Sequence, residues 1–450
     1  MRHLLRNRRG SVAFATVIAL VPLIGVMALG GEAAIWYATK QQAQTAADAA
    51  AYAGALRLAC GRSVSCDDGE SVLYRGYQFA AQNAFCDAND PNAYFGSRCA
   101  TTLPTGITHS VLVEQLDAKD VRATVRQTQP AYLAAVLGLT TVNVSATAIA
   151  RVILVANPCV VSLENPLFFK GDAEVDTSVC GIASNSKASN SIDFTGKSVG
   201  ITDLGAVAGQ GGCEQTSGTF CNEVIKYAPP VPNPLSALNG PMASLTATIA
   251  TFTGGEVKGG KATGKCAGSA PVAYDSRNSA TSCYNDKITI NSDTALNGVY
   301  FFAGFLKFSG SPKITGTATL IMLPGATIDF AGTPQFGSVA QPFAAPTTIQ
   351  TWQVPTALQG SRSLMSGLLI YVSETTATDK YVKIQGNNDS RFNGVVYAPN
   401  ANIEYTGSAN TGGCNMVIAK GIRMSGSSDF SNSGCPATAR SEINVVRMVQ

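Results

Sequence analysis

Residues Ser11 to Gly31 form an uncharged, apolar run of about 21 residues. A helix rises 1.5 Å per residue, and the hydrocarbon core of a bilayer is about 30 Å thick, so the run is long enough to span one. Arg2, Arg6, Arg8 and Arg9 stand just before it, and the first charge after it is Glu32. Basic residues are retained on the cytoplasmic side. The expected topology is therefore a cytoplasmic N-terminal arm over residues 1–10, a single span over 11–31, and the bulk of the chain in the periplasm or at the cell surface. The span is assigned to Ser11, Val12, Phe14, Val17, Ile18, Leu20, Pro22, Leu23, Ile24, Val26 and Leu29. A cleaved secretory leader would begin in the same way. The run exceeds the usual 7–15 apolar residues of such a leader, and helical character continues past it. Ala13-Phe14-Ala15 has the small-x-small form of a cleavage site but lies at the start of the run. A retained membrane anchor is the favoured reading.

Composition narrows what the exported part can be. The four arginines of the arm outweigh the formal net charge of +3, so no basic excess remains for binding nucleic acid by counterion release. Charged residues make up only 14 % and glycine is abundant at 44, which fits a β-rich extracellular repeat array. All 12 cysteines follow the apolar run and fall into neighbouring pairs: Cys60/Cys66, Cys86/Cys99, Cys159/Cys180, Cys213/Cys221, Cys266/Cys283 and Cys414/Cys435. An even count in an oxidising compartment reads as a disulfide framework. Sequence leaves the connectivity open, and local pairing is the expectation.

Past the anchor, Ala33 to Ala59 contains no proline and consists mostly of Ala, Gln, Thr and Leu. All but Thr are good helix formers. One helix from Ser11 to Leu58 would be ~72 Å long, half of it a stalk beyond the membrane. The block Gln44 to Ala55 has unusually small side chains. It suits either packing on its own domain or a helix–helix contact within an assembly. Ser71 to Ala84 reads as a second helix, Val111–Val113 and Val121–Val125 as strands joined by a turn at Asp117–Asp120, Pro130 to Leu137 as a short helix ended by Gly138, and Val142 to Val155 as a strand. Residues 32–156 thus form a stalk helix with a small α+β module.

These residues resemble a known family. Arg8-Arg9-Gly10, the apolar run, acidic Glu32 at its outer end and the Ala46-Ala47-Asp48-Ala49-Ala50 block are similar to the TadE/TadG-like proteins of the tight-adherence (Flp) pilus apparatus, of TadG type. The resemblance covers about residues 1–155. It implies pilus-assembly or secretion-system proteins as partners. Type IV-like prepilins carry Glu five residues after the cleavage-site glycine. The corresponding residue after Gly10 is Ala15, so cleavage by a prepilin peptidase is not expected.

From about Asn157 the texture changes. Short apolar stretches closing on Gly recur at Phe169, Phe194, Phe308, Ile314, Phe330, Phe392, Tyr405 and Met424, several at intervals near 19–25 residues. Short strands separated by Gly, Asn and Ser turns at a coil-length period predict an all-β, right-handed parallel β-solenoid over 157–443. A β-sandwich is the alternative, with 8–12-residue spacing. The stretch Arg391 to Gly407 is the clearest single coil, and it resembles coils of β-helical domains in some TadG-like surface proteins. Tyr227 to Leu235 is proline-rich and cannot continue a sheet. It is expected to pack on the solenoid as an excursion, with Leu245 to Gly254 as another.

No catalytic or metal constellation is evident, and no cofactor is implied. His109 reads as a satisfied histidine at a strand start. Asp172, Glu174 and Asp176 alternate and could share a strand face as Ca²⁺ ligands or in a polysaccharide-cleaving site, but a solvated face is the simpler reading. The expected function is a non-enzymatic Tad/Flp pilus component that displays a solenoid toward a surface glycan or protein receptor. The alternatives are a pilus-independent envelope adhesin and, less favoured, a glycan-active β-helix enzyme.

Overall fold

The computed structural model describes residues 8–61, 69–86, 94–100, 102–170, 174–176, 180–195, 200–203, 206–245, 266, 268–373, 380–385, 387, 389–406, 413–425 and 428–449. The chain divides into two compact units, one holding residues 1–61, 66–153 and 446–450, the other 62–65 and 154–445.

The first unit is built on α1 (Arg8–Gly61), a single helix that continues through Pro22. It is the one helix among the described residues long and apolar enough to cross a membrane. Its two halves differ. Ile18, Leu20, Leu23, Ile24, Val26 and Leu29 are exposed, whereas Ala43, Ala46, Ala47, Ala50, Ala51 and Ala55 are fully buried. The buried stripe rests on the protein's own strands, not on a second copy of the helix. Helix α2 (Val72–Gln82) follows, with Ser71 as its N-cap accepting from the Tyr74 amide. It lies close enough to α1 that a Cβ on Gly76 would sit 2.5 Å from Val113 Cγ1 and 3.3 Å from the Ala50 carbonyl.

Strands β1 (Thr108–Gln115), β2 (Asp120–Pro130) and β3 (Thr141–Ala156) form an antiparallel meander. Their inward residues pair as Val111 with Val125, Val113 with Ala123, Val121 with Ala150, Ala123 with Ala148 and Val125 with Ala146. Small residues on the sheet face the alanine stripe of α1, so the two backbones approach closely and share one core. Asp120 and Arg151 close the far end of the hairpin with two 2.7 Å hydrogen bonds. Pro130 ends β2 and does not open a helix. The short helix is a 3-10 turn at Ala134–Leu137, ended by Gly138 at φ 91°.

The second unit is a mostly parallel β-solenoid of about ten turns. Its first arm contains β4 (Pro158–Ser162), β5 (Leu167–Lys170), β6 (Glu174–Asp176), β7 (Gly181–Ser184), β8 (Ile192–Phe194), β9 (Gly200–Asp203), β10 (Val207–Gly209), β11 (Cys213–Gln215) and β12 (Ile225–Lys226). Each turn lays one strand on each of up to three faces. Val160 stands beside Ile182 and Ile182 beside Val207, while Leu167 stands beside Ile192. The second arm contains β13 (Ile288–Ile290), β14 (Thr294–Phe302), β15 (Phe305–Phe308), β16 (Lys313–Met322), β17 (Thr327–Phe330), β18 (Gln335–Phe336), β19 (Phe343–Ala344), β20 (Leu368–Val372), β21 (Val382–Gln385), β22 (Phe392–Thr406), β23 (Asn415–Ser425) and β24 (Ser428–Asp429). The long strands β22 and β23 each cover two faces.

The turns are not stacked in chain order. The main sheet runs β12-β10-β7-β4-β23-β22, then through β19 and β20 to β16 and β14. The chain enters the solenoid in its middle, winds to one end, crosses to the other end and winds back until β23 docks on β4 and β5. At that seam Val417 pairs with Val160, Ile418 with Val161, Ile422 with Leu167 and Met424 with Phe169. The recurring aromatic positions fall inside: Phe169 stacks on Phe194 and Phe308 on Phe330, while Phe392 is tilted against Phe336 and Tyr405 against Phe430. Burial pushes the Tyr371 hydroxyl up to about 12 and raises those of Tyr397 and Tyr405 further.

The proline-rich excursion packs on this core through Ala228, Val231 and Leu235. Asn185 bonds both the amide and the carbonyl of Val231, and the Asn233 and Asn239 side chains hold the Tyr397 hydroxyl. Leu245 is buried, and 246–254 lie outside the described residues. The last strand, β25 (Ile443–Met448), carries the chain back into the first unit, where it pairs with β3.

Five neighbouring cysteine pairs are disulfide-bonded: Cys86–Cys99, Cys159–Cys180, Cys213–Cys221, Cys266–Cys283 and Cys414–Cys435. Cys60 is bonded as well, and Cys66 lies outside the described residues. Cys159–Cys180 ties two consecutive turns across a loop of about twenty residues, so Cys159→Ala with Cys180→Ala should cost about 3 kcal/mol. Urea denaturation of the oxidised protein checks this.

Candidate functional site

The residues that carry the family resemblance lie along α1, and its partners can be read step by step. Gly54 lies against Val121. Gln44 Nε2 donates to Asp48 at 2.8 Å and reaches toward the Thr147 carbonyl, and Lys40 Nζ donates to the Ser145 carbonyl. Thus the β2–β3 hairpin runs along α1 with its tip toward the apolar half. From Gly54 back to Glu32 the helix covers ~33 Å, and from Val121 to Tyr132 the strand covers ~36 Å, so the tip arrives level with Glu32.

Glu32 meets it there. Its carboxylate accepts the backbone N–H of Tyr132 at 2.6 Å, Leu133 at 3.1 Å and Ala134 at 2.8 Å. The side chain is 8 % exposed. The bonds satisfy amides at the start of the 3-10 turn that the turn itself leaves unpaired, and a carboxylate is favoured at that end. Glu32 therefore locks the hairpin tip to α1 at the C-terminal end of the apolar run.

The remaining predicted positions are distributed plainly. Ala46, Ala47 and Ala50 are in the core, and Asp48 and Ala49 are half-buried beside it. Gly10, Ser11, Val12, Phe14 and Val17 are helical, as are Arg8 and Arg9, whereas Arg2 and Arg6 lie outside the described residues. His109 Nε2 is 3.0 Å from Gln127 Oε1, with its ring 4.9 Å from that of Phe85. Asp172 lies outside the described residues, while Glu174 and Asp176 are in β6, paired with β9 and β24. Among the described residues no three His, Cys, Asp or Glu side chains are grouped to hold a metal. A cleft of about 530 Å³ in the solenoid unit is lined by Pro232, Asn233, Pro234, Thr438, Arg440 and Glu442. The Arg440 guanidinium donates to the Cys435 carbonyl through Nε and Nη2.

Burial lowers the His109 pKa from its ordinary 6.5, outweighing the opposing bond to Gln127. The unfolded chain therefore takes up that proton first as pH falls. This contribution to the first unit's stability should be intact above about 6.5 and lost on acidification through the lower folded value. His109→Gln should flatten the pH dependence of chemical denaturation between neutral and mildly acidic pH.

An exposed apolar helix, long enough to cross a membrane, fused to a packed α+β module and a disulfide-bonded solenoid defines a class: an apolar helical segment carrying an ordered β array. Residues 10–57 match the family model described as "Putative Flp pilus-assembly TadE/G-like", so α1 carries a TadE/G-like Flp pilus-assembly domain. No curated protein and no solved structure matches the chain.

Proposed function

We propose that this chain is a non-catalytic, single-pass inner-membrane component of a bacterial Tad/Flp pilus-assembly or secretion system. Its N-terminus is cytoplasmic, and its solenoid is exported for display or adhesion. The observation that carries this reading is the division of α1. The family match spans both an exposed apolar half and an alanine-rich half packed into the protein's own module. Four arginines before the apolar half set the direction. The disulfides fit an oxidising compartment. The solenoid, with its repeated faces, supplies a stiff element on which a glycan or protein receptor can be held at a distance from the membrane.

Deletion of the gene should abolish pilus-dependent adherence, with recovery on complementation by the full chain. Normal pili, secretion and adherence in the deletion strain would overturn the assignment. In intact spheroplasts, added protease should digest the solenoid, and a protected solenoid would overturn the topology.

A further inference from the structure

The hairpin tip that Glu32 holds, Ala131–Leu139, contains no charged residue. Tyr132 is 76 %, Leu139 54 % and Leu133 42 % exposed, although Ala131 and Ala134 beside them are buried. Three large side chains on a nine-residue connection thus face outward. The backbone is not that of an ordinary wet loop. Ala131 N–H donates to the Thr140 carbonyl, Gly138 to Ala135 and Leu139 to Ala134, while Tyr132, Leu133 and Ala134 donate to Glu32. Donors satisfied in this way suit a medium that offers no hydrogen bonds.

Position supplies the occupant. Glu32 directly follows the apolar run, and the exposed face of Ile18, Leu23, Val26 and Leu29 leads up to it. Ile35 and Tyr37 are exposed on the next turn, with Trp36 between them half-buried. Aromatic residues at this level are typical of a membrane–water boundary. A segment fastened to Glu32 is held at the same depth. We infer that Ala131–Leu139 is a second membrane contact, seated at the headgroup–acyl boundary of the bilayer that α1 crosses, with Tyr132, Leu133 and Leu139 in contact with lipid. This rests on the anchor reading of α1. Glu32 then serves to fix the module's distance and tilt against the bilayer, and its charge is shielded by three amides where lipid would otherwise leave it exposed.

The unmodified full chain in phosphatidylcholine nanodiscs, containing a lipid with a photoactivatable diazirine near the headgroup, tests this by peptide mapping. Label is expected on the helix over 18–37 and on 131–139, and not on β1. Label on the helix without label on 131–139 would overturn the tip's lipid contact and leave the anchor standing. That is also the result if another protein segment covers the tip. No label on the helix would overturn the anchor reading and the inference together. Equal label on β1 would overturn a contact specific to the tip. Tyr132→Ser combined with Leu133→Ser and Leu139→Ser should lower labelling of 131–139 several-fold while labelling of the helix is retained.

Discussion

Ile422→Asp should unfold the first arm of the solenoid together with the last full turn, at a cost of about 4 kcal/mol or more, although residue 422 is close to the end of the sequence. Ile422 is fully buried and stands between Ile403 of β22 and Leu167 of β5. It sits in the middle of the stack, at the seam where the two arms meet. A carboxylate there would stand between apolar neighbours on both sides. In a stack with nearest-neighbour coupling, breaking an internal interface exposes two apolar edges. The first arm is poorly placed to withstand that loss, because β7, β8, β10, β11 and β12 are only two to four residues long. Ile225→Asp, in the two-residue strand at the outer end of that arm, should cost far less, because Ile225 is only partly buried. Limited proteolysis with mass mapping separates the two variants. Cleavage spreading through 158–226 is expected for Ile422→Asp only. Equal stability of the two variants would overturn the seam as the central interface. Gly421, next to it, has the same constraint in another form. A Cβ there would lie 2.5 Å from Asn402 Oδ1 and 2.7 Å from Asn165 Cβ, which would displace the 2.8 Å bond from Asn165 to Asn402 across the seam.

The seam also marks where sequence reading stops. The helix of α1, the alternation of β2 and the coil-length recurrence of Phe169, Phe194, Phe308 and Phe330 are local patterns, and each produced its element. Stacking order is not local. Every turn presents a similar stripe of Val, Ile and Phe at its edge, so nothing in Val160 designates Val417, more than 250 residues away, as its neighbour rather than a residue just before it. The same limit hid β25, which pairs with β3 about 300 residues earlier in the chain, and the role of Glu32. The acidic residue at the end of the apolar run was visible as a motif position. The donors it binds, three main-chain amides about a hundred residues downstream, carry no side-chain signature. What could have pointed to them is the uncharged composition of Ala131–Leu139, which follows Pro130 and contains Gly138.

Glu32→Ala is the substitution that should most disturb the first unit without touching its hydrophobic core. It removes one carboxylate and strands three donors. A hydrogen bond to a charged group is worth about 1.5–3 kcal/mol net, and three bonds that share one carboxylate are not additive. The expected cost is therefore about 3 kcal/mol, not the full sum. Glu32→Gln keeps one acceptor oxygen and loses the charge, so it should fall roughly midway. The effect should be confined in space. Hydrogen exchange of the full chain in detergent should speed up at 131–139 and leave Val121–Val125 protected, because Val121, Ala123 and Val125 remain packed on the alanine stripe. If Glu32→Ala leaves exchange at 131–139 unchanged, the carboxylate is not what holds the tip. If exchange rises throughout β2 and β3, the clamp is part of the core and not a fastening at its edge. Localised release is the result that gives the acidic position a physical role, which is to fasten the packed module to the helix at the point where that helix leaves the apolar run.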